Sequence, residues 1–208
     1  MSILKTIKKN KIIPLGTLVN EDEVLNICNC LTEADIPLIE VTLRDKRVID
    51  AIPSFKKYPN IYLGIGTIRT TEQIDLAINA GASFAITPGF SPKISDYASS
   101  KGLVLIPGVQ TASEVMAASE AGHKVLKFFP AELSGGIDKL NAFKSVFPDI
   151  TFIPTGGITN KNIANYLNLD NVVAVGASSA MPESLIRSKS WDEITNNLLE
   201  IKTIIETT

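Results

Sequence analysis

The chain has 208 residues, 45% of them hydrophobic and 20% charged, with a formal net charge of -2. That length suits one well-buried domain and leaves little room for a second. Beyond a modest KTIKKNK near the start there is no run of Lys and Arg, which argues against nucleic acid as a partner, and no apolar stretch approaches the ~20 residues that span a bilayer.

The first residues, MSILKTIKKN, lack the apolar core and small-residue cleavage site of a signal peptide, so a soluble cytoplasmic protein is expected. After that amphipathic lead-in helix, residues 11–15 (KIIPL) read as a strand and residues 21–34 as a helix with Asn20 as its cap. Cys28 and Cys30 lie in that helix. Positions i and i+2 of a helix point apart, so both are expected to be packing residues rather than a disulfide or a metal pair. The pattern then repeats. Strand-like stretches at 36–43 (IPLIEVTL) and 61–66 (IYLGIG) are separated by a helical stretch at 46–57, and a helix over 71–80 stops at Gly81. Further strands are expected at 83–87, 103–106, 125–129, 150–154 and 172–175, with helices at 92–99, 112–121, 137–147 and 161–167. Short apolar strands alternating with amphipathic helices indicate a parallel sheet covered by helices. Eight such units predict an α/β fold of the (β/α)8 TIM barrel type with a short N-terminal helix, forming a single domain over residues 1–208.

In such a barrel the functional residues sit at the carboxyl ends of the strands. The stretch HKVLKFFPAE at 123–132 places Lys127 there, on one face with Val125 and Phe129 and with Leu126 and Phe128 on the other. An amine among apolar side chains is partly desolvated, and desolvation favours the neutral, nucleophilic form that attacks a carbonyl to make a Schiff base. The bland alternative, a lysine that snorkels to the rim or pairs with a carboxylate, stays open from this stretch alone. Strand two ends IEVTLR, where Glu40, Thr42 and Arg44 share a face. Glu40 therefore places a carboxylate inside an apolar strand, as a structural partner of Lys127 or as a proton shuttle. Arg44 can grip a carboxylate with two bonds and Thr67 can add a hydroxyl, which suits a 2-oxo acid whose ketone faces the amine.

Strands also end in Pro88-Gly89, Pro107-Gly108 and Thr155-Gly156-Gly157, a row of bare backbone that would let a ligand approach. Gly156, Gly157, Gly176, Ala177 and Ser178, after the last two strands, form a candidate phosphate site made of backbone N–H groups. His123 is the only histidine. It precedes its strand beside a helix end, so surface placement or a helix C-terminal interaction is expected rather than catalysis. With no Asp, Glu or Cys clustered around it, no metal or other cofactor is expected. Trp191 and the late ITNNLLEIKTII pattern suit a final packing helix.

EVTLR at 40–44, GIGT at 64–67, ITPG at 86–89, IPGVQT at 106–111, KFFPAE at 127–132 and PTGGI at 154–158 resemble, in order and nearly end to end, the KHG/KDPG aldolase family. The resemblance implies a metal-free class I aldolase that forms a lysine Schiff base. It would cleave 2-dehydro-3-deoxy-6-phosphogluconate to pyruvate and glyceraldehyde 3-phosphate, and 4-hydroxy-2-oxoglutarate to pyruvate and glyoxylate. It also implies a homotrimer. Carried over by motif, Lys127 would form the imine and Glu40 would move protons. Arg44 and Thr67 would bind the pyruvate carboxylate, with Pro88 also lining the substrate site. Phe129 would pack beside the imine, Thr155 would sit near the new stereocentre, and Gly156, Gly157 and Ser178 would hold the phosphate. Two departures from the pattern stand out. Relatives commonly read GGS where this chain has Gly176-Ala177-Ser178, and many place an arginine where it has Gly16-Thr17. The rivals are a phosphosugar isomerase or epimerase on the same barrel, and a phosphometabolite-binding protein without catalysis.

Overall fold

In the computed structural model, which describes residues 2–208, helices and strands alternate as the periodicity requires. A short helix α1 (Ile3–Asn10) leads into β1 (Ile12–Gly16) and α2 (Glu21–Glu33), followed by β2 (Leu38–Thr42) and α3 (Val48–Ala51). Next come β3 (Tyr62–Gly66), α4 (Thr71–Asn79), β4 (Phe84–Ile86) and α5 (Pro92–Ser100). The second half runs β5 (Leu105–Ile106), β6 (Gly108–Val109), α6 (Ala112–Glu120), β7 (Val125–Phe128), α7 (Gly136–Val146) and β8 (Thr151–Pro154). It closes with α8 (Ile163–Leu167), β9 (Val175–Ala177), α9 (Glu183–Arg187) and α10 (Trp191–Glu206). The Asn20 side chain accepts from the Glu23 N–H at 2.9 Å and so caps α2 as expected. The helix expected over 46–57 is α-helical only through Ala51. It continues as a 3-10 turn, Ile52–Lys57, because Pro53 supplies no N–H to an α-helical ladder.

The expectation of one closed eight-stranded TIM barrel is corrected. The strands form a six-stranded parallel sheet in the order β5-β4-β3-β2-β1-β9, a half-barrel, and a separate three-stranded parallel sheet, β6-β7-β8. Both breaks fall at prolines. Between the two sheets, the Lys127 N–H donates to the Pro107 carbonyl at 2.9 Å, so the alternation of a parallel ladder would next need an N–H at position 107, which proline lacks. The expected fifth strand is therefore split into β5 and β6. On the other side, Phe152 N–H donates to Asn171 O at 2.7 Å and Val173 N–H to Phe152 O at 3.1 Å, so the next donor would be Pro154. Only isolated bridges, Phe152 to Val172 and Thr155 to Gly176, remain there, and the strand expected at 172–175 forms instead as Val175–Ala177.

Apolar side chains pack in two layers. Leu126 and Phe128 of β7, with Ile39 and Val41 of β2, join the larger cluster between strands and helices. A smaller cluster unites Ile13, Leu38, Phe84, Ile86, Ile106 and Ile153 on the strands' other face with Ile3 and Ile7 of α1. Because alternate residues share a face, Glu40 follows Leu38 on this inner side, and Lys127 follows Val125, which packs against the same cluster. The inner layer is thus apolar at the amino end of the strands and charged toward their carboxyl end. Cys28 and Cys30 are both buried in the larger cluster. Burial pushes the Cys28 thiol up to about 12, with the neighbouring Cys30 adding to the shift. Among the described residues, no helix is long and apolar enough to cross a membrane.

Candidate active site

The site is assembled from two strands far apart in sequence. The Lys127 ammonium donates to Glu40 Oε1 at 3.2 Å, and the two side chains are only 6% and 1% exposed. Removing two charges from water is costly unless each is compensated, and here each compensates the other. β2 and β7 lie in different sheets, so the pair joins the half-barrel to the smaller sheet across the shared interior. Phe129 follows Lys127 on the same face, and its ring centroid is 5.3 Å from Nζ. Its peptide bond to Pro130 is cis.

β3 makes room for the carboxylate. A Cβ built on Gly66 would lie 2.0 Å from Glu40 Oε1 and 2.7 Å from both Cγ and Cδ, so a side chain at this position would displace Glu40. The next residue, Thr67, has φ +63, a left-handed conformation that is costly for a β-branched side chain and concentrates at functional sites. Thr67 stands half-buried at the carboxyl end of β3. Thr155 directly follows β8, is 4% exposed and pairs with Gly176 in an isolated parallel bridge. Glu40 thus lies within β2, as the sequence indicated, and Lys127 near the carboxyl end of β7, while Thr67 and Thr155 directly follow β3 and β8.

Arg44 is exposed at the end of β2, and among the described residues its guanidinium forms no ion pair. It borders a small hollow of about 60 Å³ together with Leu15, Gly16, Thr17, Thr42, Ser178, Met181 and Glu183. Arg44 and Ser178, expected at opposite ends of a ligand, thus face one hollow. Thr17 and Thr42 share a hydroxyl hydrogen bond of 2.8 Å beside it. Thr17 is held in turn by Arg187, which donates to the Thr17 carbonyl at 2.8 Å and pairs with buried Glu23. Pro88 is exposed at the end of β4, against Gly108: a Cβ there would lie 2.4 Å from the Pro88 carbonyl carbon.

Gly156 and Gly157 have φ +97 and +81, and among the described residues neither N–H donates to a protein acceptor. Two free, consecutive backbone donors suit an anion. The glycine at 157 also answers to a protein neighbour, since a Cβ there would meet Glu132 Cγ at 2.4 Å. Ser178 is exposed, whereas Ala177 is 1% exposed and packs in the larger apolar cluster. The extra methyl at Ala177 therefore points away from the rim. Sequence reasoning did not find Thr17, Thr87, Glu183 or Glu132 as neighbours of the site. Thr87 was legible as the buried last residue before Pro88, and its hydroxyl accepts from Gly108 N–H at 3.3 Å.

His123 lies elsewhere. Its ring is half-buried with Nε2 2.7 Å from Ser95 Oγ, on a cavity of about 390 Å³ lined also by Leu4, Leu103 and Val125 near the amino end of β7. Its backbone N–H donates to the Ala118 carbonyl in the last turn of α6 at 3.1 Å, the helix C-terminal interaction expected, and burial holds its ring pKa below the ordinary 6.5. This larger cavity lies apart from the buried Lys127–Glu40 pair.

Comparison with known proteins bears on that chemistry. Residues 3–197 match the family model described as KDPG and KHG aldolase. The chain is 35% identical over 205 residues to the 2-dehydro-3-deoxy-phosphogluconate aldolase of Haemophilus influenzae, covering 98% of this chain and 97% of that one. It is 34% identical over 195 residues to the KHG/KDPG aldolase of Escherichia coli strain K12, covering 93% and 90%. Its fold superposes with a TM-score of 0.92 on the KDPG aldolase of Legionella pneumophila, at 35% identity over 97% of this chain and 98% of that one. In that relative, pyruvate was captured at low pH as a covalent carbinolamine intermediate.

Proposed function

The chain belongs to the KDPG and KHG aldolase family, and from that premise we propose that Lys127 and Glu40 are the catalytic pair of a class I pyruvate aldolase. The protein cleaves 2-dehydro-3-deoxy-6-phosphogluconate to pyruvate and glyceraldehyde 3-phosphate. The observation that carries the assignment of residues is the 3.2 Å contact between a lysine and a glutamate that are both almost fully withdrawn from water. A binding protein gains nothing from such a pair, because a desolvated amine beside a carboxylate is costly to keep.

The steps are those of lysine imine chemistry. The Lys127 amine attacks the C2 ketone to give a carbinolamine, and loss of water leaves an iminium. Glu40, the ionisable group in contact with Nζ, carries the protons that these steps move. Removal of the proton from the C4 hydroxyl breaks the C3–C4 bond. Its electrons pass into the iminium, so glyceraldehyde 3-phosphate leaves and an enamine stays on Lys127. Protonation of that enamine at C3 and hydrolysis then release pyruvate and restore the amine. Arg44 and Thr67 hold the pyruvate carboxylate, while Phe129 shields the imine and Thr155 faces the carbon that becomes the aldehyde. Pro88 adds wall to the substrate site, and Gly156, Gly157 and Ser178 bind the phosphate through backbone donors and a hydroxyl. The same steps cleave 4-hydroxy-2-oxoglutarate to pyruvate and glyoxylate without using the phosphate site. The enzyme works as a homotrimer in the cytoplasm.

The direct assay follows pyruvate release from the phosphorylated acid by the wild type and Lys127→Met. Turnover by the wild type and none by the folded variant supports the assignment. Full activity in Lys127→Met removes Lys127 from the mechanism.

A further inference from the structure

The two backbone arms of the phosphate site are the irregular residues 155–160 after β8 and residues 176–180, the end of β9 with the 3-10 turn Ser178–Ala180 that follows it. One side chain reaches both. Asn197, on α10, donates through Nδ2 to the carbonyls of Ser179 at 2.6 Å and Ala180 at 3.0 Å. Its Oδ1 accepts from Asn160 Nδ2 at 2.9 Å. Both amide hydrogens thus go to consecutive carbonyls of one arm and the oxygen goes to the other arm. Ser179 Oγ adds a direct link, donating to the Ile158 carbonyl at 2.8 Å, and Asn162 Nδ2 holds the Gly157 carbonyl at 3.0 Å.

Asparagine is a poor choice for the middle of a helix, since its amide competes for backbone partners. On α10 it sits beside an apolar face formed by Ile194, Leu198, Ile201 and Ile205. Its amide is committed to the loops rather than to its own helix. Carbonyls held from behind orient the peptide planes they belong to. The Ser179 and Ala180 carbonyls are thereby fixed against α10, and the Met181 N–H closes the same 3-10 turn onto the carbonyl of Ser178, the exposed residue of this arm.

We infer that Asn197 is a positioning residue that sets the separation of the two phosphate-binding arms without touching substrate. The inference rests on the phosphate site proposed above. It makes the fold's last helix part of the discrimination between phosphorylated and unphosphorylated substrates, while the lysine chemistry proceeds independently of it.

The experiment compares wild type with Asn197→Ala, Asn197→Asp and Ser179→Ala. Aspartate keeps the size and the acceptor but loses both donors, so it should behave like alanine. The expected result for the Asn197 variants is a KM for the phosphorylated acid raised about tenfold, as the loss of one or two hydrogen bonds implies, with kcat little changed. KM for 4-hydroxy-2-oxoglutarate and borohydride trapping of pyruvate should stay at wild-type levels. Inorganic phosphate titrated into the enzyme by calorimetry should weaken in parallel, a readout that needs no turnover. A purely structural role would lower thermal stability and harm both substrates alike, which overturns the proposal. So does unchanged phosphate affinity in a folded variant, or a wild type that binds no phosphate. If an Asn197 variant fails to fold, Ser179→Ala, which removes only the direct link between arms, decides by the same split between substrates. Failure of the wild type to release pyruvate would instead remove the aldolase reading, and the phosphate titration would still judge Asn197.

Discussion

Replacing Lys127 by Met while Glu40 remains strands a carboxylate that is 1% exposed, and replacing Glu40 by Ala strands an ammonium whose side chain is 6% exposed. Breaking a buried pair from one side costs about 3–5 kcal/mol, because the remaining charge has lost its compensation. Neutralisation limits that loss. At pH 7 a stranded carboxyl group escapes by taking up a proton, at about 3.7 kcal/mol from a reference value near 4.3, and an amine by losing one, at about 4.6 kcal/mol from a value near 10.4. Each single variant should therefore lose about 3–4 kcal/mol, which for a chain of this size lowers Tm by roughly 6–16 °C. The double variant Glu40→Leu with Lys127→Met leaves no stranded charge, and it should fall within about 1 kcal/mol of the wild type. Urea denaturation and calorimetry at pH 7 measure all three. Single variants that each lose under about 1 kcal/mol, with a double variant equal to their sum, would refute the view that the pair is desolvated and coupled.

Three further outcomes are expected. Gly66→Ala puts a methyl 2.0 Å from Glu40 Oε1, so the carboxylate must leave Lys127. Activity should fall about 100-fold with a stability loss of about 1–3 kcal/mol, and unchanged kcat in the folded variant contradicts the placement. His123 is held below its ordinary 6.5 by burial, so the unfolded chain binds the proton first as pH falls. Stability is present above that value and is lost on acidification through the window just beneath it; denaturation at stepped pH should show the slope in the wild type and a smaller one in His123→Gln. Cys28, with its thiol pushed up to about 12 inside the core, should resist alkylation at neutral pH until the chain unfolds, as mass spectrometry of iodoacetamide-treated protein will show.

Much of this arrangement was legible in the sequence because it depends on local periodicity. The alternation in HKVLKFFPAE separated Leu126 and Phe128 from Lys127, and the folded chain turns the first two toward the helices and the lysine inward. The same rule in IEVTLR put Glu40 on one face with Thr42 and Arg44, within an apolar strand, and Asn20 was recognisable as a cap. The closure of the barrel was misjudged for a reason also present in the sequence. Pro107 and Pro154 read as strand ends, but their missing N–H groups also interrupt the ladders to the neighbouring strands. What no periodicity could reveal is which side chains stand opposite one another. Gly157 read as an opening for a ligand, whereas it also accommodates Glu132, and the room that Gly66 leaves for Glu40 appears only in the fold. The Ser95–His123 bond and the reach of Asn197 to Ser179 likewise join segments that only the folded chain brings together.

The most direct test of the account is borohydride reduction in the presence of pyruvate, followed by peptide mass mapping. The account predicts one reduced pyruvate adduct, on Lys127, absent without pyruvate and greatly slowed in Glu40→Gln. No adduct on Lys127 in an enzyme that still cleaves its substrate, or an adduct on another lysine, would contradict it.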